Sequence, residues 1–385
     1  MRWHLRPIPV RARPSRRIPL KPQLRRSSTI SDYRVDEVRC GSSGSIPISL
    51  YNASETSVPL LIYIPPFPAP SPSPDYLPPF LRRYPTAVIH YRWDSSTPPN
   101  HPCPLHWPIP LHDVSFAYSH LLESLSPAFP ARRSIYVLSS HVGASLATSL
   151  ALTESHPHKH FAVRGLAVHN GVYNWTMFLP DHRVHKSRGA LMPVDKYGCD
   201  AIKALGSLMP GLFKKTASLF DPFASPVLFF RTAGMDIPSS FTRSETLTSQ
   251  IDHLAGLTLS EDEKAMLPNP PPPPRRAALV FPPRTSTLKI PETRLLYTRP
   301  PPLTKRKRRA KAKGNTFETQ ALELAEVMRR SVEREVKERM VWDDEVGEDV
   351  PNKRVRLHDL GEEDGNGMGA AEGVLSRWLE EKFGF

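Results

Sequence analysis

The run from Ser134 to Leu152 constrains the fold of this chain more than any other. Ser134-Ile135-Tyr136-Val137-Leu138 is apolar and β-branched, the composition of a buried strand. Ala144-Ser145-Leu146-Ala147-Thr148-Ser149-Leu150-Ala151-Leu152 has helical spacing and good helix formers. Between them stand Ser139-Ser140-His141-Val142-Gly143, a short turn with glycine where the helix must pack closely on the strand. Strand, sharp turn and helix in succession predict a parallel α/β sheet.

Further strands are expected at Val58–Ile64, Thr86–Tyr91, Val163–His169, Val227–Thr232 and Arg294–Thr298, the last closing the sheet. Leu111 to Leu125 reads as a helix with Val114, Ala117, Tyr118, Leu121 and Leu122 on one face. A short helical piece is expected around Tyr76–Arg83, and 175–220 reads as a mostly helical, cap-like region. Thr316 to Trp342 reads as a long helix with Phe317, Ala321, Leu324, Ala325, Met328, Val332 and Val336 facing inward. The expected class is α/β, a doubly wound, mostly parallel sheet.

The 44 prolines cluster at 65–79, 98–110, 268–283 and 300–302, marking loops and connections. With 39% hydrophobic residues, a folded core diluted by mobile segments is expected. The domain is expected over 46–342, with a Pro-rich insertion at 241–290 and a basic linker at 299–313. Residues 1–45 read as a basic tail or transit peptide. Residues 343–385 read as an acidic, disordered tail ending in a short helix, with Val374, Leu375, Trp378, Leu379 and Phe383 on one side. That helix either docks on the parent core or grips a partner.

The net charge of +13 favours an anionic partner and says nothing about fold. It concentrates in residues 1–27 and in the run Lys305-Arg306-Lys307-Arg308-Arg309-Ala310-Lys311-Ala312-Lys313. That run is either a phosphate-contacting patch, as in a ribonucleoprotein assembly, or a solvated linker. The first 30 residues hold many arginines and no acid, as mitochondrial transit peptides do, although Pro7, Pro9, Pro14, Pro19 and Pro22 interrupt a helix. A mitochondrial location is expected, with nuclear import through 305–313 or a cytoplasmic location as alternatives. Three widely spaced cysteines, Cys40, Cys103 and Cys199, suit a reducing compartment. His101, His106, His112 and His120 lack ligand spacing, so neither a metal site nor a cofactor is expected. No apolar run is long enough to span a membrane.

Several local patterns carry a family resemblance. Tyr91-Arg92-Trp93, then His101-Pro102-Cys103-Pro104 and His112-Asp113-Val114, is similar to a Y-R-L-A-P-E…P-x-P…D-V segment leading into a first helix. Ser139 to Gly143 falls where a G-x-S-x-G nucleophile elbow lies. Asp221-Pro222, Pro226–Phe230 and Gly234-Met235-Asp236 resemble the strand and loop that deliver a catalytic acid. Gly314-Asn315-Thr316-Phe317 resembles a G-H-x-F loop that delivers the histidine. Over roughly residues 56–340 the chain thus resembles the α/β-hydrolase fold, and within it the hormone-sensitive-lipase-like esterases.

The same alignment implies a degenerate triad at His141, Asp236 and Asn315. Ester hydrolysis needs a nucleophilic oxygen, a base and donors for the oxyanion. The nucleophile position is His141, and the Asn315 amide takes up no proton. The oxyanion loop, H-G-G-G in the family, falls at Ile64-Pro65-Pro66-Phe67, where proline has no N–H to donate. Only Asp236 matches. The expected function is that of a non-catalytic hydrolase-fold protein acting in binding or assembly. The alternative is an active carboxylesterase or lipase-like enzyme with an unconventional site, such as an Asp236–His141 pair acting on water. Asp236 is expected within reach of His141 or Asn315, with no serine hydroxyl in reach of a histidine at the apex. Asp113 is expected to be a helix-start acceptor. Residues 169–176, beyond a strand end, form either a residual pocket or a set of turns.

Overall fold

The computed structural model describes residues 32–68, 72–73, 76–94, 105–187, 190–191, 200–237, 275–299, 314–340, 349–362 and 367–384. The strands are β1 (Tyr33–Arg39), β2 (Ser45–Tyr51), β3 (Leu60–Ile64), β4 (Thr86–Ile89), β5 (Arg133–Ser140), β6 (Phe161–His169), the short pair β7 (Lys186–Ser187) and β8 (Ala190–Leu191), β9 (Glu292–Arg299) and β10 (Val355–Glu362). The helices are α1 (Ile109–Leu125), α2 (Gly143–Thr153), α3 (Asp200–Phe213), α4 (Phe317–Met340), α5 (Val350–Arg354) and α6 (Gly367–Phe383).

Among the described residues, eight strands form one sheet in the order β1-β2-β4-β3-β5-β6-β9-β10. The β1–β2 and β2–β4 pairs are antiparallel, and every pair from β4 to β10 is parallel. β5 is the central strand. Its Ile135 and Val137 enter one core with Leu121 of α1, Leu146 of α2 and Leu324 and Met328 of α4. Its Tyr136 and Leu138 enter a second core with Leu81, Tyr84 and the Leu375, Trp378 and Leu379 face of α6. A strand covered on both faces reads as a continuous apolar run, which is why β5 is conspicuous in the sequence. The sheet is doubly wound and mostly parallel, as expected.

α4 buries Phe317, Ala321, Leu324, Ala325, Met328 and Val332 at helical spacing. Thr316 and Thr319 start it with reciprocal bonds, Thr316 N–H to Thr319 Oγ1 at 2.9 Å and Thr319 N–H to Thr316 Oγ1 at 3.1 Å. α1 turns Val114, Ala117, Tyr118, Leu121 and Leu125 inward. Leu122, expected on that face, is 37% exposed.

Four expectations are corrected. The segment 227–232 is not a strand: Pro226–Phe229 is a single 3-10 turn. β6 is bonded directly to β5 and β9, so the sheet has no slot for another strand, and Val227 and Phe230 are buried as turn residues instead. The fold includes residues before the boundary expected near 46, because β1 pairs with β2 from Tyr33↔Tyr51 to Arg39↔Ser45. Arg294–Thr298 lies in β9, which is not the last strand. Residues 349–362 and 367–384 are not a disordered tail: β10 adds to β9 in parallel and α6 covers the second core. Trp378 is 2% exposed, stacks edge-on to Tyr136 at 5.5 Å and donates from Nε1 to Glu292 Oε1 at 3.1 Å.

Candidate functional site

β5 ends at Ser140, and His141 takes a left-handed backbone, φ 49°, before α2 begins at Gly143. A residue with a side chain pays strain in that region, so the turn is held from outside. His141 N–H donates to His169 O at 3.3 Å, and Val172 N–H donates to His141 O at 3.1 Å. The histidine is thus at the apex of a sharp strand-to-helix turn at the carboxyl edge of a doubly wound sheet. The fold is a doubly wound, mostly parallel α/β sheet.

Around the apex, the neighbouring groups offer little for ester chemistry. The His141 ring sits among Phe67, Phe317 and His169, with ring centres 5.9, 5.6 and 6.2 Å away. The loop after β3 turns carbonyl oxygens toward the elbow. Pro66 O accepts from Gly143 N–H at 3.4 Å, and a Cβ on Gly143 would meet Pro65 O at 2.2 Å. An oxyanion needs donors at that place, and these are acceptors. Two of the three flanking hydroxyls are spent on backbone: Ser139 Oγ donates to Ile64 O at 2.8 Å and Ser145 Oγ to Val142 O at 3.2 Å. Among the described residues, no hydrogen bond joins a serine of the elbow to a histidine.

The expected Asp236 contact with His141 or Asn315 is not made. Asp236, with a fully buried carboxylate, lies 3.3 Å from His182 Nε2 and 2.9 Å from Arg231 Nη2. Arg231 also reaches Glu323 at 2.6 Å, and Arg183 joins Glu323 at 2.8 Å. This ion cluster ties the 182–236 region to α4. The physical reason is the missing strand: without a strand at 227–232, nothing carries Asp236 to the carboxyl edge beside the elbow. His182 is no free base, because its Nδ1 accepts from Val184 N–H at 3.2 Å while Nε2 faces the carboxylate.

Asn315 Oδ1 accepts from Gln320 Nε2 at 2.9 Å, and its own Nδ2 is buried without a partner. Gln320 Oε1 in turn accepts from Tyr173 N–H at 3.0 Å and Asn174 N–H at 2.8 Å. Asn170, at φ 48°, binds Thr298 N–H at 2.8 Å through Oδ1. Residues 170–174 are therefore held by Thr298 and Gln320. Asp113 accepts from Arg92 backbone N–H at 2.9 Å and from its guanidinium at 2.6 Å, fastening α1 to the end of β4. Lys305, Arg306, Lys307, Arg308 and Arg309 lie outside the described residues. The segments that follow β9 and β10, 300–316 and 363–366, contain no histidine in the sequence.

Sequence reasoning missed Gln320, His182, Arg231 and Glu323, which carry no motif and meet only through tertiary contact. It placed His169 in the 169–176 segment, a pocket or a set of turns, without giving its ring a role. That ring is buried at the end of β6, and burial, then His141 beside it, pushes its pKa down to about 4. Burial also lowers that of His141. Both rings are neutral at pH 7. No group of three metal-ligating side chains occurs among the described residues, and no described helix is long and apolar enough to cross a membrane.

No family model matches the sequence, and no curated protein matches it. In structure the chain is similar to carboxyl esterase 2 from the mycorrhizal fungus Tuber melanosporum, at 12% identity and TM-score 0.49, over 94% of this chain and 89% of that one. It is also similar to a hormone-sensitive lipase from a metagenome library, at 12% identity and TM-score 0.44, over 91% of this chain and 87% of that one.

Proposed function

We propose that this chain is a hydrolase-fold protein that no longer hydrolyses and serves in binding or assembly. The observation that carries the reading is the polarity of the elbow. Where a working site holds a hydroxyl and a pair of N–H donors, this one holds an imidazole and the carbonyls of Pro65 and Pro66. The Asp236 carboxylate, which would orient a base, is engaged by Arg231 and His182. In this reading residues 1–30 direct the chain to mitochondria, and the run from Lys305 to Lys313 contacts an anionic partner.

The purified protein is to be incubated with short acyl esters and with a fluorophosphonate probe. No turnover above the buffer rate and no covalent label is expected. A label on any serine between 139 and 145 would instead establish the active-esterase reading. Imaging a tagged copy with and without residues 1–30 tests the location: loss of mitochondrial signal on deletion is expected, and nuclear signal in both would overturn it.

A further inference from the structure

On the face of the sheet covered by α6, a partly open cavity of about 30 Å³ lies between the ends of β5 and β6 and the first turns of α6. That is room for about two water molecules, or for the head of a small molecule, and far below a substrate cleft. Tyr63, Phe80, Leu138 and Leu375 make most of its wall apolar, and Ser139, Ser140 and the exposed Glu372 also line it. His169 also lines it, 5% exposed, with neither ring nitrogen hydrogen-bonded. Native proteins seldom leave a buried polar atom without a partner, so water or a bound molecule in the cavity would supply the bonds of this ring.

The chemistry of the ring selects the molecule. His169 is neutral at pH 7, so one nitrogen donates and the other accepts. Its neutral neighbour His141 supplies no positive charge. A carboxylate brought here would lose its water without gaining a cation. A hydroxyl both donates and accepts, costs little to dehydrate when bonded, and can carry an alkyl stem along the apolar wall.

We propose that this cavity binds the head of a small uncharged alcohol, with its hydroxyl on His169 and its stem against Tyr63, Phe80, Leu138 and Leu375. The proposal builds on the binding reading above and adds to it a place and a ligand class.

The test is a titration of the full-length protein with 1-propanol, and in parallel with propionate, following the histidine ring nitrogens by NMR. A saturable shift of the His169 signals with 1-propanol, absent with propionate, is expected. Leu375→Trp, which fills the cavity and leaves His169 in place, is expected to abolish it. His169→Leu, followed through the Tyr63 ring signals, is the second variant and is expected to do the same. A shift that never saturates, an equal response to propionate, or a response that survives in the folded variants would overturn the proposal. None of these outcomes bears on fluorophosphonate labelling, so the two readings fail separately.

Discussion

Gly143 and Pro65 meet where a side chain would otherwise stand: a Cβ built on Gly143 lies 2.2 Å from the Pro65 carbonyl oxygen, 2.7 Å from Ser139 Oγ and 3.2 Å from Ile64 Cγ2. The close approach joins the first turn of α2 to the loop after β3. It also fills with carbonyl oxygen the space in which an oxyanion would be held. In the non-catalytic reading proposed above, the turn and the absence of an oxyanion site are two consequences of one contact.

Gly143→Ala puts a methyl group against backbone, which no rotamer change relieves. A loss of about 1–3 kcal/mol is expected. It is read as a lower urea midpoint with an unchanged slope. A midpoint equal to that of the parent protein would mean that the 65–67 loop yields freely.

Asp236→Asn leaves Arg231, whose side chain is 7% exposed, with Glu323 as its remaining counter-charge. Breaking a buried pair on one side is expected to cost about 2–4 kcal/mol, and Arg231→Met in the same chain to recover part of it. The double-mutant cycle measures the coupling. Ester turnover is expected to be as low in the variant as in the parent protein. Additive single-site effects would show that the cluster is not one unit.

Trp378→Ala removes the largest side chain that α6 lays on the sheet, opening a void beside Tyr136 and over Gly165, where a Cβ would lie 2.8 Å from the indole. The expected cost is about 3–5 kcal/mol. Thermal unfolding measures it, and a negligible shift in midpoint would mean that α6 is not part of the cooperative core.

Acid weakens this fold through His169. Its pKa is about 4 in the folded chain against an ordinary 6.5. Above pH 6.5 both states are neutral and the group has no pH effect. As pH falls below 6.5 the unfolded chain takes up the proton first, so stability declines until the folded ring titrates near 4. The gap corresponds to about 3 kcal/mol. Buried His90, also lowered to about 4, acts with the same sign. His169→Leu is expected to flatten the decline between pH 6.5 and 4 in denaturant melts. An unaltered slope would refute the assignment to this residue.

The residues on which the non-catalytic proposal rests were legible in the sequence. A histidine stands at the turn, prolines stand in the loop after β3, and an amide stands at residue 315. The partners of these groups were not legible. Gln320, His182, Arg231 and Glu323 lie in three separate segments with no shared spacing. Asp236 drew attention through its neighbours Gly234 and Met235, yet those neighbours say nothing about the direction in which its carboxylate points.

By itself the sequence determined the centre of the molecule. β5, α2 and α4 bury whole faces, and burial writes periodic apolar residues into a chain. Only tertiary structure decided the edges and the ion cluster. β1 and β10 are edge strands that mix charged and apolar residues without regular alternation, and their ladder bonds come from backbone that any sequence possesses. Val227 to Phe230 is apolar enough for a strand, but β6 and β9 pair directly and leave it a buried turn. Backbone pairing and charge neutralisation depend on which segments meet in space, and local composition does not record that.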